Sequence, residues 1–227
     1  VKKMKDMGVR VYAMTKPEGP IGQAVGAENC VAMASDHGSG GCEKGYYLAD
    51  CFGLRLLNRR GCFPKFDLFI EQTKDIWKDM LDIRKRFEPR AEELAKKYAL
   101  APYTMFIGSG ALWGETILFS MCILEEMQWI KTKSIHAAEF FHGMLEIVER
   151  DTPVTVIIGE DSQRCLGQRV RNFLPRICGN YEIIDTKDYP MPGFDEAFRG
   201  RLQNAILHRV INRMDMHLEQ ISCHPME

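Results

Sequence analysis

The stretch Tyr103-Thr104-Met105-Phe106-Ile107-Gly108-Ser109-Gly110-Ala111-Leu112-Trp113-Gly114 decides the fold class of this chain. In it a short apolar run ends at glycines and passes directly into a long segment of helical character. Two further runs, residues 154–159 and 181–185, follow the same scheme. Strands that alternate with helices form right-handed βαβ units around a parallel sheet that is covered on both faces. The sequence therefore predicts an α/β fold.

Helices are predicted after these strands, over residues 111–130, 162–178 and 194–222. Upstream, apolar residues at helical spacing predict one helix over 43–59 and a longer helix, or a pair of helices, over 66–98. Because proline interrupts the hydrogen bonding of a helix, Pro89 is the expected break in that longer segment.

The first sixty residues look like the end of a similar unit. Residues 2–7 are predicted to end a helix, and residues 9–15 and 30–34 to form two strands. Two strands alone do not make a stable parallel sheet. We therefore expect the chain to begin partway through a domain.

Composition and charge exclude several classes of protein. The chain has 227 residues, of which 45% are hydrophobic and 27% charged, and its net charge is −1. Basic and acidic residues interleave, so neither nucleic acid nor a membrane surface is an expected partner. The longest apolar run, 117–124, is too short to span a membrane, and Val1-Lys2-Lys3 opens without a secretory leader. Eight cysteines without a CxxC pair indicate free thiols in a reducing, cytoplasmic compartment.

The glycine-rich turn from Gly108 to Gly114 is the first candidate site. Its spacing is GxGxxxG, which differs from the GxGxxG of dinucleotide-binding loops. Two interpretations stay open. The segment is either a tight strand-to-helix turn or a loop in which Ser109 and Gly110 contact an anionic ligand at the N-terminus of the helix.

Two carboxylates, Glu115 and Glu126, interrupt the apolar helix that follows. They are eleven residues apart, and at about 100° per residue they fall within roughly 20° of one another on one helix face. A carboxylate in apolar surroundings has a raised pKa and suits general acid or base catalysis. The alternative is a structural carboxylate that bonds to a backbone group or an arginine.

A dense patch of ionisable and aromatic residues lies just beyond this helix. His136, Glu139 and His142 recur every third residue, which on a helix would leave a metal site conceivable. The pattern HxxExxH nevertheless matches neither HExxH nor a set closed by cysteines, so no metal is expected. His136 suits a buried core position, whereas His142, just before Gly143, is better placed to reach a ligand.

The segments Glu126-Met127-Gln128-Trp129-Ile130 and His136-Ala137-Ala138-Glu139-Phe140-Phe141-His142-Gly143, followed by Glu146-Ile147, form a recognisable signature. It resembles the second lobe of the sugar isomerase (SIS) domain proteins, with a resemblance that extends from about Val9 to Pro225. The string Glu139-Phe140-Phe141-His142-Gly143 is similar to that of the fructosamine-6-phosphate deglycases. The isomerase half of glucosamine-6-phosphate synthase is a more distant relative.

This resemblance implies a three-layer αβα sandwich with a parallel sheet, arranged in two lobes. Residues 1–62 would be the end of a first lobe truncated at its N-terminus, 63–98 a helical connector and 99–227 a complete second lobe. The family also implies a homodimer with active sites at subunit boundaries, where Glu126 is the base and His142 the acid. The implied reaction converts a fructosamine 6-phosphate into glucose 6-phosphate and a free amine by proton transfers, without a cofactor.

Substrate contacts are expected at five further positions. Glu43 and Lys44 resemble the start of a first-lobe helix that borders the substrate, and Ser109, Gly110 and Glu139 are the other candidates. The serine- and threonine-rich loop that binds phosphate in this family is expected upstream of the sequence. Two other functions stay open: an aldose–ketose isomerase of a sugar phosphate, and a non-catalytic regulatory module that binds a sugar phosphate.

Overall fold

A computed structural model describes residues 1–31 and 42–225, with the backbone alone described at 42–44. The chain divides into two compact units, Val1–Gly45 and Tyr46–Glu227. The sequence placed the end of the first lobe at residue 62, whereas this division falls seventeen residues earlier, inside a helix. The assignment of residues 1–62, 63–98 and 99–227 to a truncated lobe, a connector and a second lobe stays a prediction.

The first unit contains little regular structure in its described part. Helix α1 (Lys2–Asp6) and helix α2 (Pro20–Val25) are short, and one parallel bridge joins Ala13 to Cys30. The predicted strand over 9–15 is therefore wrong, because its pairing is limited to the bridge at Ala13 among the described residues and its apolar side chains are largely exposed. The predicted strand over 30–34 extends into residues outside the described part of the chain.

The second unit is built on a parallel sheet of four strands in the order β2-β1-β3-β4. The strands are β1 (Thr104–Gly108), β2 (Thr132–His136), β3 (Val154–Ile158) and β4 (Tyr181–Asp185). Every residue of β1 and β3 is buried, as expected for central strands with both faces covered. The three strands predicted from the sequence are confirmed, whereas β2 was missed because this half-exposed edge strand is largely polar.

The helices of this unit surround the sheet. They are α3 (Cys42–Arg59), α4 (Phe66–Gln72), α5 (Ile76–Leu100), α6 (Trp113–Ile117), α7 (Arg164–Phe173) and α8 (Glu196–Ser222). A π-helical segment, Leu118–Met127, continues α6, and α5 packs along α8. Among the described residues, none of the helices combines the length and the apolar character that crossing a bilayer requires.

The break in the long helical segment does not lie at Pro89. Pro89 is inside α5, where it and the residue four positions earlier, Lys85, are exposed, so the Lys85 carbonyl can be hydrated. The break lies instead at Thr73, whose hydroxyl donates to the carbonyls of Phe69 (2.9 Å) and Ile70 (3.1 Å). Local hydrogen bonding by this side chain ends α4 where the sequence pattern suggested continuity.

Alternate residues of the sheet face two different apolar layers. Met105 and Ile107 of β1 pack in a cluster with Phe140, whereas Phe106 between them packs with Tyr98 on the opposite face. The rings of Phe106 and Tyr98 meet edge to face at 5.4 Å. Helices thus cover both faces of a parallel sheet, and the predicted three-layer α/β fold is confirmed.

Candidate active site

The strand order creates a crevice at the carboxyl ends of β1 and β3. Because β2 and β3 lie on opposite sides of β1, the chain reverses direction across the sheet at this point, where open α/β sheets bind ligands. The turn Gly108–Gly110 comes very close to the loop after β3. Gly110 has φ +61°, and a Cβ atom there would stand 2.2 Å from Oδ2 of Asp161.

An internal carboxylate occupies this crevice. Asp161 Oδ2 accepts hydrogen bonds from the Ala111 backbone N–H (2.7 Å) and from Gln203 Nε2 (3.2 Å), and Oδ1 accepts from the Gln163 backbone N–H (2.8 Å). The backbone N–H of Ala111, which could have bound an external anion, is therefore already paired with Asp161. This geometry favours the tight-turn interpretation, and Ser109 and Gly110 remain predicted substrate contacts.

Two buried ion pairs hold the loops beside Asp161. Both oxygens of the Glu160 carboxylate accept from the Arg199 guanidinium, at 2.9 and 2.8 Å, and Arg164 makes a similar two-point contact with Asp185. Bidentate arginine–carboxylate pairs have a fixed geometry. The carboxyl edge of β3 and β4 is consequently a rigid polar platform held by its own side chains.

Glu126 is exposed near the end of the π-helical segment. Glu115, in contrast, is 1% exposed, so the prediction that the two carboxylates share one helix face is wrong. The i→i+5 turns of a π-helix advance by fewer degrees per residue than the 100° of an α-helix, so the separation of roughly 20° expected for an α-helix does not hold over this segment. Next to Glu126, Glu125 accepts a hydrogen bond from Thr132 Oγ1 at 2.6 Å, which ties this helix end to the start of β2.

His142 lies on the other side of β2, after its carboxyl end. Its backbone is non-helical (φ −99°, ψ −134°), and it forms a kink within the segment Phe140–Met144. The side chain is exposed, as is that of Glu139, whose carbonyl accepts from the His142 N–H at 3.1 Å. The kink turns the His142 backbone away from a helical path. The imidazole that the sequence predicted to reach a ligand is thus exposed.

The three residues of the HxxExxH pattern do not share a helix. His136 is the last residue of β2, Glu139 lies in the following turn, and His142 is at the kink. Nδ1 of His136 accepts from the Ala138 N–H at 3.2 Å, and the ring meets Trp113 edge to face at 5.5 Å. The helical spacing on which the alternative metal site depended is therefore absent. His136 is partly exposed, so the prediction of a buried core position for it is wrong.

Within one chain, Glu126 and His142 are far apart. The π-helical segment that carries Glu126 packs on the face of the sheet that includes Tyr98, whereas the segment that carries His142 packs on the opposite face. They also flank opposite ends of β2, whose five residues extend about 13 Å. A single copy does not bring the predicted base and acid to one place.

Glu115 belongs to a buried polar cluster that sequence reasoning did not find. Its carboxylate accepts from Tyr46 Oη and contacts Nδ1 of His208 at 3.2 Å. Asp215, which is 4% exposed, interacts electrostatically with both Glu115 and His208, and burial raises the pKa of its carboxyl to about 7. The structure thus supports the structural interpretation of Glu115, and the only sequence signal was a carboxylate inside an apolar helix.

Two of the predicted contacts, Glu43 and Lys44, lie in the first turn of α3 with side chains outside the described residues. Their predicted role stays a prediction.

Comparison with known proteins finds deglycases and a phosphosugar isomerase among the relatives of this chain. The chain is 28% identical to fructosamine deglycase FrlB of Bacillus subtilis (strain 168), over 96% of this chain and 66% of that protein. It is 28% identical to fructoselysine 6-phosphate deglycase of Escherichia coli (strain K12), over 44% of this chain and 29% of that protein. A crystal structure from Bacillus subtilis, described as a phosphosugar isomerase, matches with a TM-score of 0.87 at 26% identity, over 97% of this chain and 67% of that one. No family model matches the chain.

The four-stranded parallel sheet and these similarities define the class as α/β proteins with the phosphosugar isomerase fold. The resemblance that the sequence indicated is confirmed: the chain is an SIS-fold protein similar to the fructosamine deglycases and phosphosugar isomerases. It spans less than two thirds of the length of either curated deglycase.

Proposed function

We propose that this protein is a deglycase of phosphorylated Amadori sugars, which converts a fructosamine 6-phosphate into glucose 6-phosphate and a free amine. The observation that carries the proposal is the similarity to fructosamine deglycase FrlB along 96% of the chain. The signature Glu139-Phe140-Phe141-His142-Gly143 supports the same branch of the family. At a coarser level, the names of the fructoselysine 6-phosphate deglycase and of the phosphosugar isomerase both indicate sugar-phosphate substrates.

Glu126 and His142 supply the two proton-transfer groups that the reaction requires. His142 assists opening of the sugar ring, and Glu126 removes a proton from C1 of the open 2-keto form. Protonation of C2 then gives a Schiff base at C1, which water hydrolyses to the aldose phosphate and the amine. Each step moves protons or adds water, so one carboxylate and one imidazole suffice.

The active site in this proposal lies between two copies of the chain. Glu126 and His142 are both exposed, but they flank opposite ends of β2 and belong to opposite layers. A homodimer that places Glu126 of one copy beside His142 of its partner would unite them. Because the thiols described in the structure are all free, we also place the protein in the cytoplasm.

An aldose–ketose isomerase is the second candidate function. The crystal structure that matches with a TM-score of 0.87 is described as a phosphosugar isomerase, which favours this alternative. Both reactions begin with ring opening and removal of a proton from C1, so the same two groups would serve either of them.

The test uses the protein expressed from its complete reading frame. Fructosyl-lysine 6-phosphate and fructose 6-phosphate are offered separately, and glucose 6-phosphate is measured with a coupled dehydrogenase. A deglycase produces glucose 6-phosphate together with stoichiometric lysine from the first substrate and little from the second. Turnover of fructose 6-phosphate alone would establish the isomerase and overturn the deglycase.

A further inference from the structure

Trp129 has a backbone conformation that tryptophan rarely adopts. It lies two residues after the end of the π-helical segment and has φ +57°, in the left-handed region. The backbone N–H of Ile130 donates to the carbonyl of Leu124 at 2.8 Å, which closes the helix around this residue. Glycine ordinarily occupies such a position because it has no Cβ atom to clash with the backbone, and asparagine occupies it less often because its side chain can hydrogen-bond locally. An outlier of this kind is a reason to look for a function.

Burial does not account for the presence of this indole. Trp129 is 74% exposed, so its large apolar side chain adds little to the core. The ring is nevertheless held in place, because it meets the His224 ring with 4.2 Å between centroids. Gln128, which is buried, donates from Nε2 to the His224 carbonyl at 3.1 Å and so fixes that neighbour.

The exposed indole lines a cavity that also includes residues from the ends of α5 and α8. The cavity has a volume of about 410 Å³, and its apolar wall includes Leu100, Pro102 and Ile130. Glu126 precedes Trp129 by only three residues, which limits the distance between their Cα atoms to roughly 11 Å. A ligand in contact with Glu126 is therefore within reach of the indole.

The charged residues that neighbour Trp129 along the chain favour a cation. Glu125 and Glu126 contribute two carboxylates, whereas Lys131, which also lines the cavity, contributes one ammonium group. The face of an indole attracts a cation more strongly than any other aromatic side chain does. These features together are suited to a ligand that carries a protonated amine.

We propose that Trp129 is a specificity-determining residue that binds the C1 ammonium group of the Amadori substrate through a cation–π contact. The inference rests on the proposed deglycase function, since the amine of that substrate is attached to the carbon from which Glu126 removes a proton. A sugar phosphate with a hydroxyl at C1 gains nothing from the indole. Trp129 thereby selects substrates that bear an amine over those that do not.

The experiment compares Trp129→Leu with Trp129→Phe in the protein from the complete reading frame. KM and kcat are measured for fructosyl-lysine 6-phosphate, and the inhibition constant is measured for fructose 6-phosphate, which lacks the amine. We expect Trp129→Leu to raise KM about 3- to 30-fold, the range for a cation–π contact, while the inhibition constant changes less than twofold. Trp129→Phe should fall between this variant and the wild type.

Trp77→Leu is the matched control, because Trp77 is a partly exposed tryptophan of α5 outside this cavity. It should change neither constant. Equal increases in KM and in the inhibition constant, no change in either, or loss of the dimer in Trp129→Leu by light scattering would each overturn the inference. A wild-type protein without deglycase activity would instead refute the proposed function itself, and the two failures are thereby distinguished.

Discussion

Two inactive variants of this protein should restore activity when they are mixed. Glu126→Gln removes the proposed base, and His142→Ala removes the proposed acid. The two residues flank opposite ends of β2, about 13 Å apart along the strand, and belong to opposite layers. We therefore expect each active site to take Glu126 from one copy and His142 from the partner, as the proposed dimer requires.

The expected recovery follows from this geometry. After random exchange of subunits at equal concentrations, half of the dimers are mixed, and each mixed dimer has one site with both groups and one with neither. Activity should approach a quarter of the wild-type value, although removal of a general acid or base lowers each parent about 10²- to 10⁴-fold. The assay is release of lysine from fructosyl-lysine 6-phosphate, with exchange confirmed by native mass spectrometry.

The control mixes Glu126→Gln with a chain that carries both substitutions. Neither partner then supplies a wild-type Glu126, and nothing should be recovered even though exchange proceeds normally. If the first mixture also stays inactive while mass spectrometry shows mixed dimers, both groups act within one chain. That result would refute the inference that each active site combines Glu126 of one copy with His142 of the other.

Three further predictions concern the described residues themselves. Glu126→Gln should lower kcat at least 100-fold with little change in the melting temperature. Glu115→Gln should instead lower the free energy of unfolding by about 1–3 kcal/mol, because its buried partners lose an acceptor. Equal losses of kcat in the two variants would contradict this prediction. Burial raises the pKa of Asp215 from 3.8 to about 7, so the native state binds the extra proton. Stability should therefore fall as pH rises from about 4 to 7, by as much as about 4 kcal/mol at 1.36 kcal/mol per pH unit, and urea titrations of Asp215→Asn should show a flatter profile. Trp129→Gly should stabilise the protein by about 1 kcal/mol, because glycine adopts φ +57° without strain, and calorimetry showing a lower melting temperature would contradict that.

The sequence by itself determined the fold class because its signals are local. β1 and β3 are continuous apolar runs followed by helices, and that pattern is sufficient to predict a parallel sheet covered on both faces. The motif around Glu126 and His142 likewise indicated the family, since its spacing is read along the chain. Edge strand β2 carried no such signal, because an exposed edge does not need a continuous apolar run.

Tertiary structure alone decided which distant residues meet. Glu115 and His208 are 93 positions apart and form a buried pair that no local pattern encodes. Asp161 fills the crevice beside Gly110 and accepts from the backbone N–H of Ala111, which lies fifty positions earlier in the chain. This contact favours a tight turn over a ligand-binding loop for the glycine-rich segment. The exposure of Glu126 and of His142 follows from a π-helical turn and a backbone kink, because the direction of a side chain depends on φ and ψ, which spacing in the sequence does not specify.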